Sequence, residues 1–293
     1  VIGAGAEYLY SLVVQLLGRD KVYAVENPGY QKIAKIYRNN GAVCLPVRTD
    51  DHGISAEALQ SSDAEVVHIT PAHHFPLGIV MPISRRNELL AWANEEENRI
   101  IIEDDYDSEF RFQGKPVQPM INIDQNQKVI YVNTFSKTLF PSLRISYMVL
   151  PDRFMQIYNQ KLGFYSSTVP SFDQLVLANF IARGYYEQHI NRMRNYYKRL
   201  RNQLIFSLRQ SPLQDRIQII EEDSGLHFLL KVDTTMKDEE IVKKAEIHGI
   251  NLSCLSEYYF DRNNRENGTL LINYSGISTE QVDEAIETLS AIF

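Results

Sequence analysis

Two stretches, Arg99-Ile-Ile-Ile-Glu-Asp-Asp-Tyr-Asp107 and Lys128-Val-Ile-Tyr-Val-Asn-Thr-Phe-Ser-Lys137, decide the fold. Each begins with a short β-branched and aromatic run and ends in polar side chains. The runs are continuous rather than alternating, as in a strand covered on both faces. Similar runs occur at Val22–Val25, Val43–Val47, Glu65–Thr70 and Ile145–Leu150. Helical periodicity separates several of them: Leu9, Leu12, Val13, Leu16 and Leu17 mark one helix, and 31–39, ending at Gly41, a second. Buried strands separated by helices predict an α/β fold with a mostly parallel sheet, in which ligands bind beyond the carboxyl ends of the strands.

Beyond Pro151 the texture changes. A long helical region runs over 172–210 with a break near Gly184. Strands are expected at Arg216–Ile220, Gly225–Val232 and Leu270–Tyr274, with a helix over 238–248 stopped by Gly249. A last helix opens on the capping-box pattern Ser278-Thr-Glu-Gln281 and buries Val282, Ile286, Leu289 and Phe293. This reads as a smaller α+β domain. The expected division is a large domain over 1–163, then a linking helix and small domain over 164–293.

The 293 residues are 44% hydrophobic and 23% charged, as in an ordinary globular protein. A net charge of -7 argues against a bare nucleic-acid surface. Cys44 and Cys254 are too few for a disulfide scaffold or a metal cluster, and read as reduced thiols, an indication of a cytoplasmic setting. No apolar run reaches membrane-spanning length. The chain opens at Val1 directly in a strand-like run, without an initiator methionine, which is the expectation for a piece of a longer protein.

The two strand tips carry chemistry. Asp104 and Tyr106 follow one buried run, and Lys137 follows the other. Pyridoxal phosphate (PLP) requires a lysine amine for its Schiff base and a carboxylate to keep its pyridine nitrogen protonated. Lys137 and Asp104 suit those roles, and Tyr106 could donate to the ring's phenolic oxygen. Thr134, Ser136 and Arg144 suit a phosphate, as do the backbone N–H groups of Gly5, Ala6 and Glu7 at the start of the first helix. Tyr30, after Glu26-Asn-Pro-Gly, could stack on the ring.

These motifs resemble the fold-type-I, class I/II aminotransferases, with a large domain built on a mostly parallel seven-stranded sheet. Within them the chain is most similar to the MocR/GabR-type branch of GntR transcriptional regulators. Ser136-Lys137 with Pro141-Ser-Leu-Arg144 marks the superfamily. Glu103-Asp-Asp-Tyr-Asp-Ser-Glu-Phe110 and Thr70-Pro-Ala-His-His-Phe-Pro76 mark the branch. The resemblance implies a homodimer that senses a small amine or amino acid. It also implies a preceding winged helix-turn-helix domain and linker, through which alone DNA would be bound. Aminotransferases carry a carboxylate-binding arginine on a late strand, whereas Leu270-Leu-Ile-Asn-Tyr-Ser275 has none. Some branch relatives have an arginine where this chain has Lys32. Both departures argue against recognition of an ordinary amino-acid carboxylate; the missing arginine and the Glu103–Phe110 segment favour sensing over turnover, while the intact Lys137 set keeps an active aminotransferase as the alternative.

Other readings are weaker. The acidic Asp104–Glu109 segment lacks the register of a calcium loop. The adjacent His73 and His74 lack helical zinc spacing, so no metal is expected. Gly3-Ala-Gly-Ala-Glu-Tyr8, with Glu26 beyond it, resembles a dinucleotide fingerprint but has Tyr8 where a small residue is needed. Arg192, Arg194, Lys198, Arg199 and Arg201 lie on a helix whose stripe Ile190, Met193, Tyr197, Leu200 and Leu204 points to packing, with the basic face solvated.

Overall fold

The computed structural model describes residues 1–114, 118–220, 223–261 and 267–293. The chain forms two compact units. The first comprises Val1–Phe75, Ile79–Ser108 and Pro116–Glu187, and the second Pro76–Gly78, Glu109–Lys115 and Gln188–Phe293.

The first unit holds strands β1 (Ile2–Gly3), β2 (Val22–Asn27), β3 (Val43–Asp50), β4 (Gly53–Ile54), β5 (Val66–Ile69), β6 (Ile100–Asp105), β7 (Val129–Thr134) and β8 (Ser146–Val149). Its helices are α1 (Ala6–Leu17), α2 (Gln31–Asn39), α3 (Ala56–Gln60), α4 (Ile83–Glu95), α5 (Asp152–Lys161) and α6 (Ser171–Ala182). The sheet order is β1-β8-β7-β6-β5-β2-β3-β4. Strands β3, β2, β5, β6 and β7 run parallel, while β8, β1 and β4 pair antiparallel to their neighbours. The sheet therefore has eight strands rather than seven, the shortest being the two-residue β1 and the hairpin return β4. Every residue of β5, β6 and β7 is buried, which explains their unbroken apolar reading. One layer of core comprises Val67, Ile69, Ile101 and Val129 packed with Leu89, Trp92 and Ala93 of α4.

Registers across three strands shape one end of this sheet. Thr134 of β7 pairs with Ser146 of β8, which pairs with Gly3 of β1. Residues just beyond this row, Ser136 and Lys137 after β7, Arg144 before β8 and Gly5 after β1, are therefore delivered to the same edge. The carboxyl ends of β5 and β6 lie on that side as well, since both run parallel to β7.

The first unit extends past the expected boundary at 163 because α6 belongs to it. Val169 and Leu177 bury against Ile145, with Ala4, Phe135, Leu139 and Leu143 around them, and Ala4 N–H donates to Thr168 Oγ1 at 2.9 Å. The helical region expected over 172–210 is broken at Gly184 (φ 74°), a conformation that suits glycine.

The second unit contains most of α7 (Tyr185–Gln210), then β9 (Ile217–Ile220), β10 (His227–Val232), α8 (Asp238–Ile247), β11 (Ser253–Cys254), β12 (Thr269–Asn273) and α9 (Val282–Ile292). Its strands form an antiparallel sheet in the order β11-β12-β10-β9. Leu200, Leu204 and Leu208 of α7, Ile241 of α8, and Ile286 and Leu289 of α9 share a core with Phe228, Leu230 and Leu270. Arg192, Lys198 and Arg199 are exposed on α7. Arg201 is not on the solvated face. It is 5% exposed, 3.5 Å from Asp223 and stacked over Phe112 at 4.9 Å, because it falls on the packed side one residue after Leu200. Phe293 is only partly buried.

Candidate functional site

The expected anchoring residues all lie in the first unit. Gly5 caps α1 with φ 97°, and its N–H turns back to Gly3 O. The next N–H in the helical pattern is that of Tyr8, on Gly5 O. The N–H groups of Ala6 and Glu7 are thereby left outside the helix ladder and can bind an anion. Arg144 sits against this turn. A Cβ on Gly5 would lie 2.3 Å from its Nη2, and Nη2 donates to Ala4 O at 3.4 Å. Arg144 itself adopts a left-handed backbone (φ 51°, ψ 33°), which costs a non-glycine residue roughly 1 kcal/mol. Among the described residues no carboxylate pairs with its guanidinium.

This contact gives an expected result. Gly5→Ala should displace the Arg144 guanidinium and force alanine into positive φ. Loss of one charge-assisted hydrogen bond is worth about 1.5–3 kcal/mol, so PLP affinity should fall roughly tenfold or more. Titration of PLP absorbance checks this, and unchanged affinity would remove the α1 turn from the anion site.

Lys137 follows β7 in a turn and is exposed, and among the described residues no hydrogen bond or ion pair engages its amine. Thr134 closes β7. Its hydroxyl accepts from Ser146 Oγ at 2.8 Å and Ser136 N–H at 3.2 Å, and it donates toward Ser136 Oγ at 3.1 Å. These bonds tie Thr134 to Ser136 beside Lys137. The Glu7 carboxylate bonds Lys32, while its backbone N–H remains at the helix terminus. That contact, with Tyr30 close by, raises the Lys32 pKa.

Asp104 is 6% exposed near the end of β6. Tyr10 donates to its Oδ2 at 2.5 Å, and His68 Nε2 lies 3.4 Å from the same oxygen. His68 Nδ1 in turn meets Tyr37 OH at 2.5 Å. Both bonds fall on Oδ2, leaving Oδ1 for another donor. Burial and the Asp104 charge push the Tyr10 phenol well above its ordinary pKa, so it remains a donor.

Tyr106 OH is 3.0 Å from His73 Nδ1, which also lies 3.1 and 2.9 Å from the two Asp107 oxygens. A carboxylate only accepts, so Nδ1 carries the proton and has no lone pair for the phenol. The Tyr106 hydrogen is then free to point elsewhere. Burial, followed by the charges of Asp107 and Asp104, keeps this phenol protonated. Tyr30 is 47% exposed and stands edge-on to Phe75 at 5.7 Å.

Sequence reasoning missed Tyr10, His68 and Tyr37 as the residues holding Asp104, and His73 with Asp107 as the neighbours of Tyr106. A signal existed for one: His68 interrupts the apolar run Val66-Val-His-Ile69 in a fully buried strand. A polar side chain there needs a partner.

The family model for aminotransferase class I and II matches residues 1–289. The HTH-type transcriptional regulator YdeL of Bacillus subtilis is 38% identical over 291 residues, covering 99% of this chain and 62% of the relative. The probable rhizopine catabolism regulatory protein MocR of Rhizobium meliloti is 33% identical, covering 96% of this chain and 56% of the relative. The chain thus spans about three fifths of the length of these curated relatives. Among solved structures, the kynurenine aminotransferase of Pyrococcus horikoshii superimposes with a TM-score of 0.85 at 25% identity, covering 100% of this chain and 74% of that one. The chain belongs to the class I and II aminotransferase family and shares its fold with the PLP-dependent aminotransferases.

Proposed function

We propose that this chain is the PLP-binding, effector-sensing domain of a longer MocR-type transcriptional regulator. The observation that carries the reading is the conjunction at one sheet edge of an amine and a guanidinium that no carboxylate pairs among the described residues, a helix terminus and a half-satisfied buried carboxylate. The residues fit the cofactor. Gly5 leaves room that a Cβ would fill, and Arg144 with the N–H groups of Ala6 and Glu7 supplies phosphate donors. Asp104 Oδ1 would accept from the pyridine nitrogen, Tyr106 would donate to the phenolic oxygen, and Tyr30 would cover the ring. PLP, when bound, supplies an aldehyde for amines and an electron-withdrawing ring. Lys137 would hold that aldehyde and yield it to an incoming amine.

Relatives matched along nearly the whole chain are regulators, and the chain covers 62% and 61% of two of them, which supports a DNA-binding segment outside it. Regulation then requires the amine to bind two arrangements of the protein with different affinity. A homodimer is supported by exposed apolar side chains, Phe172 (75%), Leu175 (63%) and Val176 (52%) on α6 and Phe164 (75%) before it in the chain. No helix among the described residues is long and apolar enough to cross a membrane, and a regulator of this type would act in the cytoplasm.

An active aminotransferase is the second reading. It is favoured by the intact Lys137, Asp104 and Arg144 set and by 25% identity over 281 residues to aromatic-amino-acid aminotransferase 1 of Thermococcus litoralis. Spectra of the PLP-loaded protein with a panel of amino acids and ω-amino acids separate the two. A lasting spectral change without keto product is expected for the sensor, whereas stoichiometric pyridoxamine phosphate with turnover would establish the enzyme.

A further inference from the structure

Glu26 lies near the carboxyl end of β2 and is 6% exposed. Its Oε2 accepts from Thr70 N–H at 3.2 Å and from the Thr70 hydroxyl at 2.7 Å, and His74 Nε2 lies 3.5 Å from the same oxygen. Its Oε1 is fully buried, with no hydrogen-bond partner among the described residues. An ionised carboxylate would leave that oxygen charged and unsatisfied away from water. A protonated carboxyl carries a hydrogen there instead.

Two further observations agree. Burial pushes the Glu26 pKa up to about 8 against the two bonds from Thr70, with Asp104 adding to the rise. Burial, with His73 adding, pushes His74 down to about 3. The neighbouring acid and imidazole are thus both neutral at pH 7, with the proton on the carboxyl. The groups that act on Glu26 come from two elements: Thr70 and His74 follow β5, and Asp104 and Tyr106 lie at the end of β6.

We propose that Glu26 is a neutral carboxylic acid beside Asp104 and Tyr106, a positioning residue that keeps Asp104 the sole charge there and whose ionisation adds a second negative charge next to Asp104. The ligand rests on the PLP reading above, while the protonation state belongs to the protein alone. PLP carries an anionic phosphate, so the second charge would weaken its binding.

The test is infrared difference spectroscopy of the apo-protein against Glu26→Gln, which is close in shape and stays neutral. The expected result is a protonated-carboxyl C=O band at about pH 6, lost in the variant, that titrates away near pH 8. Any signal from Glu103, also buried, is common to both proteins and cancels. No difference band at about pH 6 would overturn the proposal. Thr70→Val serves as a second variant should Glu26→Gln not fold. It removes a hydroxyl that favours the charged form, so the band should persist to higher pH, and a shift to lower pH counts against the assignment. In PLP titrations, wild-type affinity should fall about tenfold relative to Glu26→Gln between about pH 7 and 9.5, and parallel curves would overturn the electrostatic role. If neither protein binds PLP, the ligand reading fails, while the infrared result still decides the state of Glu26.

Discussion

Lys137→Ala is expected to abolish the PLP absorption band that distinguishes covalently held from free cofactor, while leaving the fold intact. Lys137 is exposed and has no partner among the described residues, so its truncation removes no buried contact there, and the melting temperature should remain near that of the wild type. The phosphate donors at α1 and Arg144 remain, so the variant should still bind PLP, but reversibly and removably by dialysis. Arg144→Ala gives the complementary loss. Each charge-assisted hydrogen bond to a phosphate is worth about 1.5–3 kcal/mol, so affinity should fall roughly tenfold to a hundredfold with the lysine-dependent band still forming at high PLP. A band that survives Lys137→Ala would place the attachment elsewhere.

The largest effect on stability is expected at Arg86, in α4, which is 1% exposed. Its guanidinium donates to Met81 O at 3.0 Å, Gln118 O at 2.9 Å and Pro71 O at 2.7 Å, and lies 4.0 Å from Glu103 Oε1. Arg86→Ala would leave several buried acceptors and a carboxylate without their cation, at a cost of about 3–5 kcal/mol. Burial raises the Glu103 pKa to about 7 even though the Met120 and Ile121 N–H groups and Arg86 favour its charged form. Without Arg86 that pKa rises further. The native state then binds a proton that the unfolded state releases at lower pH, so stability falls as pH rises. The deficit of the variant should therefore be smaller near pH 5, where Glu103 is protonated, and grow toward pH 8. Urea unfolding at several pH values measures it. A deficit below about 1 kcal/mol at pH 8 would mean that water replaces the guanidinium.

Because Arg86 bonds carbonyls at both ends of the segment 71–81, its loss should also loosen His73 and His74. That connects packing to the site: the strand ends supply the functional side chains, and a buried cation fixes the loop that flanks them.

Much of this was legible in the chain. Unbroken apolar runs identified β5, β6 and β7 because strands covered on both faces cannot tolerate alternation. The polar residues closing two runs singled out Asp104, Tyr106 and Lys137, because in a parallel sheet such tips face one edge. Domain limits were less legible. Helix α6 has apolar residues on several sides, and nothing local says whether Leu177 packs with Ile145 or with the following helix. Arg201 read as one more basic residue because only its position one step from Leu200 decides that it faces the core.

What the sequence by itself determined is the strand pattern and the identity of the groups at the strand tips, since burial and side-chain chemistry are encoded locally. Only the tertiary structure decided which of those groups meet. The pairing of Gly3 with Ser146, more than a hundred positions apart, joins β1 to the β7–β8 pair and sets Gly5 against Arg144. Other long-range contacts place Tyr10 and His68 on Asp104 and enclose Glu26 beside Thr70. Register and burial arise from the packing of distant segments, and a carboxyl's protonation follows from the dryness and partners that packing creates.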